Sequence, residues 1–76
     1  MAWHSTQRRE ELITVLAGRL WLETRGARSR ARRRRVGKGQ CAFIRAHTMH
    51  RLINASRTTA RYVYVTGSAG PVEGTR

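Results

Sequence analysis

Thr59-Ala60-Arg61-Tyr62-Val63-Tyr64-Val65-Thr66 alternates in steps of two. Tyr62, Tyr64 and Thr66 point one way, and Arg61, Val63 and Val65 the other. An extended chain sorts side chains like this because successive residues leave a strand on opposite faces. A helix would need apolar spacings of three and four. The aromatic and β-branched content suits a pleated surface. Gly67-Ser68-Ala69-Gly70-Pro71 closes the run, and 71–76 reads as a flexible C-terminal tail. Upstream, Glu11-Leu12-Ile13-Thr14-Val15-Leu16-Ala17 is too short and too branched for a helix. Gly18-Arg19 marks a turn, and Leu20-Trp21-Leu22-Glu23-Thr24 alternates again, so the two runs read as a hairpin. Gly37-Lys38-Gly39 launches Gln40-Cys41-Ala42-Phe43-Ile44. His50-Arg51-Leu52-Ile53-Asn54 follows, with Asn54 opening a turn through Ala55, Ser56 and Arg57. Short period-two runs without a helical stretch predict an all-β, antiparallel sandwich or barrel.

Seventy-six residues make one small domain, here expected over 1–70 and marginal on its own, and 39% hydrophobic content is low but above that of a disordered chain. A single cysteine, Cys41, excludes an internal disulfide and reads as a small buried apolar residue. No apolar run is long enough to span a membrane, and the first residues lack the apolar stretch of a signal peptide, so the expected location is cytoplasmic. The charge is the unusual feature: 16 Lys+Arg against 4 Asp+Glu gives +12. Half of the cations (Arg25, Arg28, Arg30, Arg32, Arg33, Arg34, Arg35 and Lys38) fall within 25–38 with no acid among them. Like charges between glycines read as a solvated, mobile connection joining two ordered parts. The rival reading is an anionic partner: phosphate, acidic lipid or nucleic acid. Nucleic acid is the less favoured of these, since no aromatic residue is interleaved with the arginines to stack a base.

Three residues at strand ends have metal-ligand chemistry: His4, Glu11 and His50. Iron, manganese and zinc all accept imidazole and carboxylate together. Their framing is specific. His4-Ser5-Thr6, four residues, Glu11, six residues and Gly18 resembles the first cupin motif, G-x5-H-x-H-x(3,4)-E-x6-G. Gly39, five residues, Arg45, Ala46, His47, two residues, His50, three residues and Asn54 resembles the second, G-x5-P-x-G-x2-H-x3-N. The chain therefore resembles a small single-domain member of the cupin superfamily from residue 3 to about 66.

The resemblance implies a small antiparallel jelly-roll β-barrel, short at its N-terminal side. It also implies a divalent metal (Fe, Mn or Zn) held by His4, Glu11 and His50. Thr6 stands where the family has its second histidine and becomes the fourth-position replacement. Arg45 and His47 replace the proline and glycine of the second motif. Such a site leaves open positions for a small anionic or polar ligand. The family hosts dioxygenases and isomerases as well as metal-free binding modules, so the reaction class stays open. A barrel lacking its leading strands exposes an edge, and a homodimer is the expected way to cover it. Glu11 on a buried face needs a metal or an ion pair with Arg8, Arg9 or Arg51. Gly18 and Gly39 are expected at positive φ and Asn54 in its own turn, with Trp21, Phe43, Tyr62 and Tyr64 lining the barrel.

Overall fold

The computed structural model describes residues 2–26, 28 and 30–68. Seven strands form, with no helix among the described residues: β1 His4–Ser5, β2 Arg9–Ala17, β3 Arg19–Arg25, β4 Arg32–Gly37, β5 Cys41–Ile44, β6 Met49–Asn54 and β7 Arg61–Ser68. They hydrogen-bond into a four-stranded sheet, β1-β6-β3-β4, and a three-stranded sheet, β5-β2-β7, with every pairing antiparallel. The expected barrel is thus realised as two facing sheets. The expected tail, 71–76, lies outside the described residues.

Period-two patterning builds the core. Ile13 and Val15 of β2 and Ala42 and Ile44 of β5 meet Leu20, Leu22, Val36 and Leu52 of the larger sheet in one buried cluster. Each of these strands gives alternate residues to the interior, so the cluster belongs to both sheets. Two glycines make the turns. Gly18 has φ 77° and Gly39 has φ 80°, a region where a Cβ is disfavoured. At Gly18 a Cβ would also stand 2.8 Å from the Ser56 hydroxyl. Asn54 holds the turn after β6 as expected: its Nδ2 donates to the Thr58 carbonyl at 2.8 Å, and the Ser56 N–H donates to its Oδ1 at 2.9 Å.

Several expectations need correction. Part of the basic segment 25–38 is not a connection at all, because Arg32 to Gly37 form β4 and pair with β3 from Thr24↔Arg32 to Arg19↔Gly37. Backbone pairing to Leu20 and Leu22, with Val36 buried beneath, outweighs the mutual repulsion of exposed guanidiniums, which water screens. Trp21 faces outward rather than lining the interior, since the pleat buries its neighbours Leu20 and Leu22. Phe43 is 54% exposed and Tyr64 61%, whereas Tyr62 does pack against the core. Cys41 is exposed, on the same outward row as Thr14, whose hydroxyl lies 3.2 Å from its sulfur.

Register places the interior polar groups. His4 pairs with His50, His50 with Thr24, and Thr24 with Arg32. One row across the larger sheet therefore reads His4, His50, Thr24, Arg32. In the smaller sheet Glu11 sits between Ile44 and Thr66.

Candidate metal and ligand site

His4, Glu11 and His50 line one pocket of about 300 Å³, together with Ser5, Thr6, Gln7, Arg9 and Thr66. Three different strands supply the three side chains, which are 4, 11 and 50 in the chain. Only the β1–β6 pairing and the facing of the two sheets bring them together.

His50 is the buried centre of the group, at 1% exposure. Its Nδ1 lies 3.4 Å from the Thr48 carbonyl, and its Nε2 lies 3.4 Å from Glu11 Oε2. A carbonyl oxygen can only accept, so the contact favours a hydrogen on Nδ1. Nε2 then faces a carboxylate oxygen. Two lone pairs in that position repel unless a cation, a proton on Nε2 or a metal ion, lies between them. The His4 ring covers His50 from the mouth of the pocket, with centroids 4.1 Å apart and planes tilted by 47°.

Thr6 is buried in the same pocket, but its hydroxyl is engaged with the backbone. It donates to the Arg45 carbonyl at 2.8 Å and accepts from the Thr48 N–H at 3.0 Å. The Thr6 N–H also donates to the Thr48 carbonyl at 3.0 Å. Thr6 thus ties the N-terminal strand to the loop that carries the Thr48 carbonyl under His50. His47, in that loop, keeps the conformation of a glycine, at φ 57°, with its side chain exposed.

None of the arginines considered as partners for Glu11 forms an ion pair with it among the described residues: Arg9 lines the same pocket without one, and Arg51 is engaged elsewhere. Arg51 Nε donates to Glu23 from one side, and Arg33 Nε donates to it from the other at 3.1 Å. The Arg51 hydrogen bond first, and then the charges of both guanidiniums, hold the Glu23 carboxyl below the usual carboxylate range. Beside this group, Arg33 and Arg35 lie over Trp21 at 4.6 and 5.0 Å from its ring centre, and Arg25 and Arg51 over Trp3 at 4.7 and 4.8 Å. These cation–π stacks were invisible along the chain, where no aromatic residue neighbours the arginine run. The signal that could have found them is the hairpin register that sets Trp21 opposite Arg35.

The donor set suits a borderline divalent ion. Two ligand atoms about 2.1 Å from one tetrahedral centre stand about 3.4 Å apart, and the Nε2 to Oε2 separation is 3.4 Å. Among the described residues, no three His, Cys, Asp or Glu side chains close into a ready metal cage. His50 and Glu11 are spaced as a ligand pair, while His4 stacks on His50 instead of completing the ring of donors.

No curated protein and no solved structure matches the chain significantly. The family model of the cupin domain matches residues 1–66, a span that contains both motifs, all three candidate ligands and all but the end of the last strand. With an all-β fold of two antiparallel sheets and the histidine–glutamate pocket between them, the chain belongs to the cupin family.

Proposed function

We propose that the protein is a divalent-metal cupin that holds its ion between His50 and Glu11, with His4 as the third donor and a small polar or anionic molecule as ligand. The observation that carries this reading is the 3.4 Å gap between Nε2 of buried His50 and Oε2 of Glu11. The Thr48 carbonyl orients the imidazole, a role that outer hydrogen-bond partners commonly play for metal-binding histidines. Thr6 braces the loop that supplies this carbonyl. A bound ion would supply Lewis acidity or, if iron, access to dioxygen chemistry. Arg9 and Thr66 stand at the same pocket and give the ligand a guanidinium and a hydroxyl to contact.

Titration of chelator-treated protein with Zn²⁺ or Mn²⁺ by calorimetry tests this reading. One ion should bind per chain. His50→Ala and Glu11→Gln should abolish binding, and His4→Ala should weaken it. Binding that survives His50→Ala refutes the assignment. The rival is a metal-free cupin that binds its ligand directly, favoured by the engagement of the Thr6 hydroxyl with backbone. In that case the His50 Nε2–H faces the Glu11 carboxylate directly, and no ion binds at any concentration.

A second observation supports the proposal that the chain associates as a homodimer. The outward positions of β5, β2 and β7 carry Phe43, Leu12, Leu16, Val63 and Val65, all 43% exposed or more. In a chain of net charge +12, the described outward positions of these strands hold one acid, Glu10, and one base, Arg61. A second copy of this chain is the occupant proposed for the face, because there two strongly basic molecules can meet without opposing like charges.

A further inference from the structure

The pleat of β4 sorts its four arginines into two pairs. Arg33 and Arg35 share the outer face with Glu23 and Trp21, where an ion pair and stacking account for them. Arg32 and Arg34 share the face of buried Val36 and turn toward the space between the sheets. There they line a cavity of about 660 Å³ with Arg45, which follows β5 on the opposite side. Leu22, Ile44, Thr24 and Thr48 complete the lining with outward-facing Phe43 and with Arg33, whose Nε is taken by Glu23, and no carboxylate lines the cavity. Neither Arg32, Arg34 nor Arg45 has an ion pair among the described residues. Glu23, the acid nearest in sequence, is held on the outer face by Arg33 and Arg51.

We infer that this cavity is an oxyanion site for a small, multiply charged molecule such as a phosphate ester or a polycarboxylate. Three guanidiniums around one cavity repel one another, and a dianion relieves that repulsion while accepting forked N–H donors. The Thr24 and Thr48 hydroxyls offer further hydrogen bonds, and Leu22 and Ile44 give an apolar wall for the body of the molecule. The cavity is distinct from the histidine–glutamate pocket, with which it shares no lining residue. Register nevertheless sets Thr24 beside His50 and Arg32 beside Thr24 along one row, so the backbones of His50 and Arg32 lie two strand spacings, about 10 Å, apart. A ligand seated on the arginines could extend to the proposed metal pocket, but the oxyanion site does not require metal.

The test is calorimetric titration of chelator-treated protein with pyrophosphate, and separately with citrate, at about 150 mM salt. Saturable binding of one anion per chain is expected. Arg32→Gln, Arg34→Gln and Arg45→Gln should each cost about tenfold or more in affinity. Arg34→Lys keeps the charge but loses the planar fork, and should also weaken binding. Arg57→Gln, on the turn after β6 and outside the cavity lining, should leave affinity unchanged. Circular dichroism verifies that each variant is folded. Preference for pyrophosphate over citrate marks the phosphate source of the ligand, and the reverse marks the carboxylate source. Equal losses from Arg57→Gln and Arg34→Gln would overturn the proposal in favour of diffuse charge. So would a single-stranded oligonucleotide that outcompetes both anions with a steep salt dependence.

Discussion

Replacing Thr6 by valine keeps the shape and removes only the hydroxyl, so the loss can be read from the structure. That hydroxyl satisfies two backbone groups of the 45–48 loop, the Arg45 carbonyl at 2.8 Å and the Thr48 N–H at 3.0 Å. Thr6 is 8% exposed and both hydrogen bonds are partly buried, so water replaces the hydroxyl only in part. A buried polar group left without a partner costs about 1–3 kcal/mol. Taking the lower half of that range for each of the two groups gives a loss of about 2–4 kcal/mol. A domain of this size has a total stability of about 4–11 kcal/mol. Each kcal/mol shifts the melting temperature of such a domain by about 4–8 °C, so Thr6→Val should lower it by about 8–30 °C. Thr6→Ser retains the hydroxyl and loses only a methyl group, at about 1 kcal/mol. Thermal unfolding followed by circular dichroism, with Zn²⁺ titration in parallel, reads both quantities. Refutation would come from a Thr6→Val melting point within about 3 °C of the parent, or from equal losses in the valine and serine variants. Retained metal affinity in folded Thr6→Val identifies the hydroxyl as a brace, whereas a collapse of affinity makes it a ligand.

Gly18→Ala should destabilise by about 2 kcal/mol or more, since φ 77° and the 2.8 Å approach to Ser56 both oppose a Cβ. Gly39→Ala, with φ 80° but open space, should lose only about 1 kcal/mol in urea unfolding; equal losses would show that the close approach does not matter. His47→Gly should stabilise by about 0.5–1 kcal/mol by relieving φ 57°, and a fall in the urea midpoint would contradict this. Because the Glu23 carboxyl titrates lower in the folded protein than in the unfolded chain, its contribution is present above the ordinary carboxylate range. That contribution is lost as pH falls through the lowered value. Glu23→Gln should therefore flatten the acid limb of the stability profile, and an unchanged limb would refute the role. Light scattering should show dimers that strengthen with salt, as screening lowers the repulsion between +12 chains, and Phe43→Arg should split them. A monomer at high salt and high concentration would exclude the proposed face.

The strand class and much of the strand placement were legible in the sequence because a period of two is a local property of a pleated chain. Gly18 and Gly39 announced their turns for an equally local reason, and the spacing around His4, Glu11 and His50 carried the family. Other features depended on which strands pair and in what register. The segment 25–38 looked like a loop because repulsion and solvation are the only effects visible along the chain. Pairing with β3 made half of it a strand, and the pleat then separated Arg32 and Arg34 from Arg33 and Arg35. Trp3 and Trp21 met their arginines only through neighbouring strands and a folded-back N-terminal segment. Cys41, Phe43 and Trp21 were expected inside, yet their side of the pleat depends on which alternate row the opposite sheet covers. The direction of the Thr6 hydroxyl was likewise hidden. Motif register could place the residue beside the pocket, but only the passage of the 45–48 loop past β1 supplied the carbonyl and the N–H that turn the hydroxyl toward the backbone.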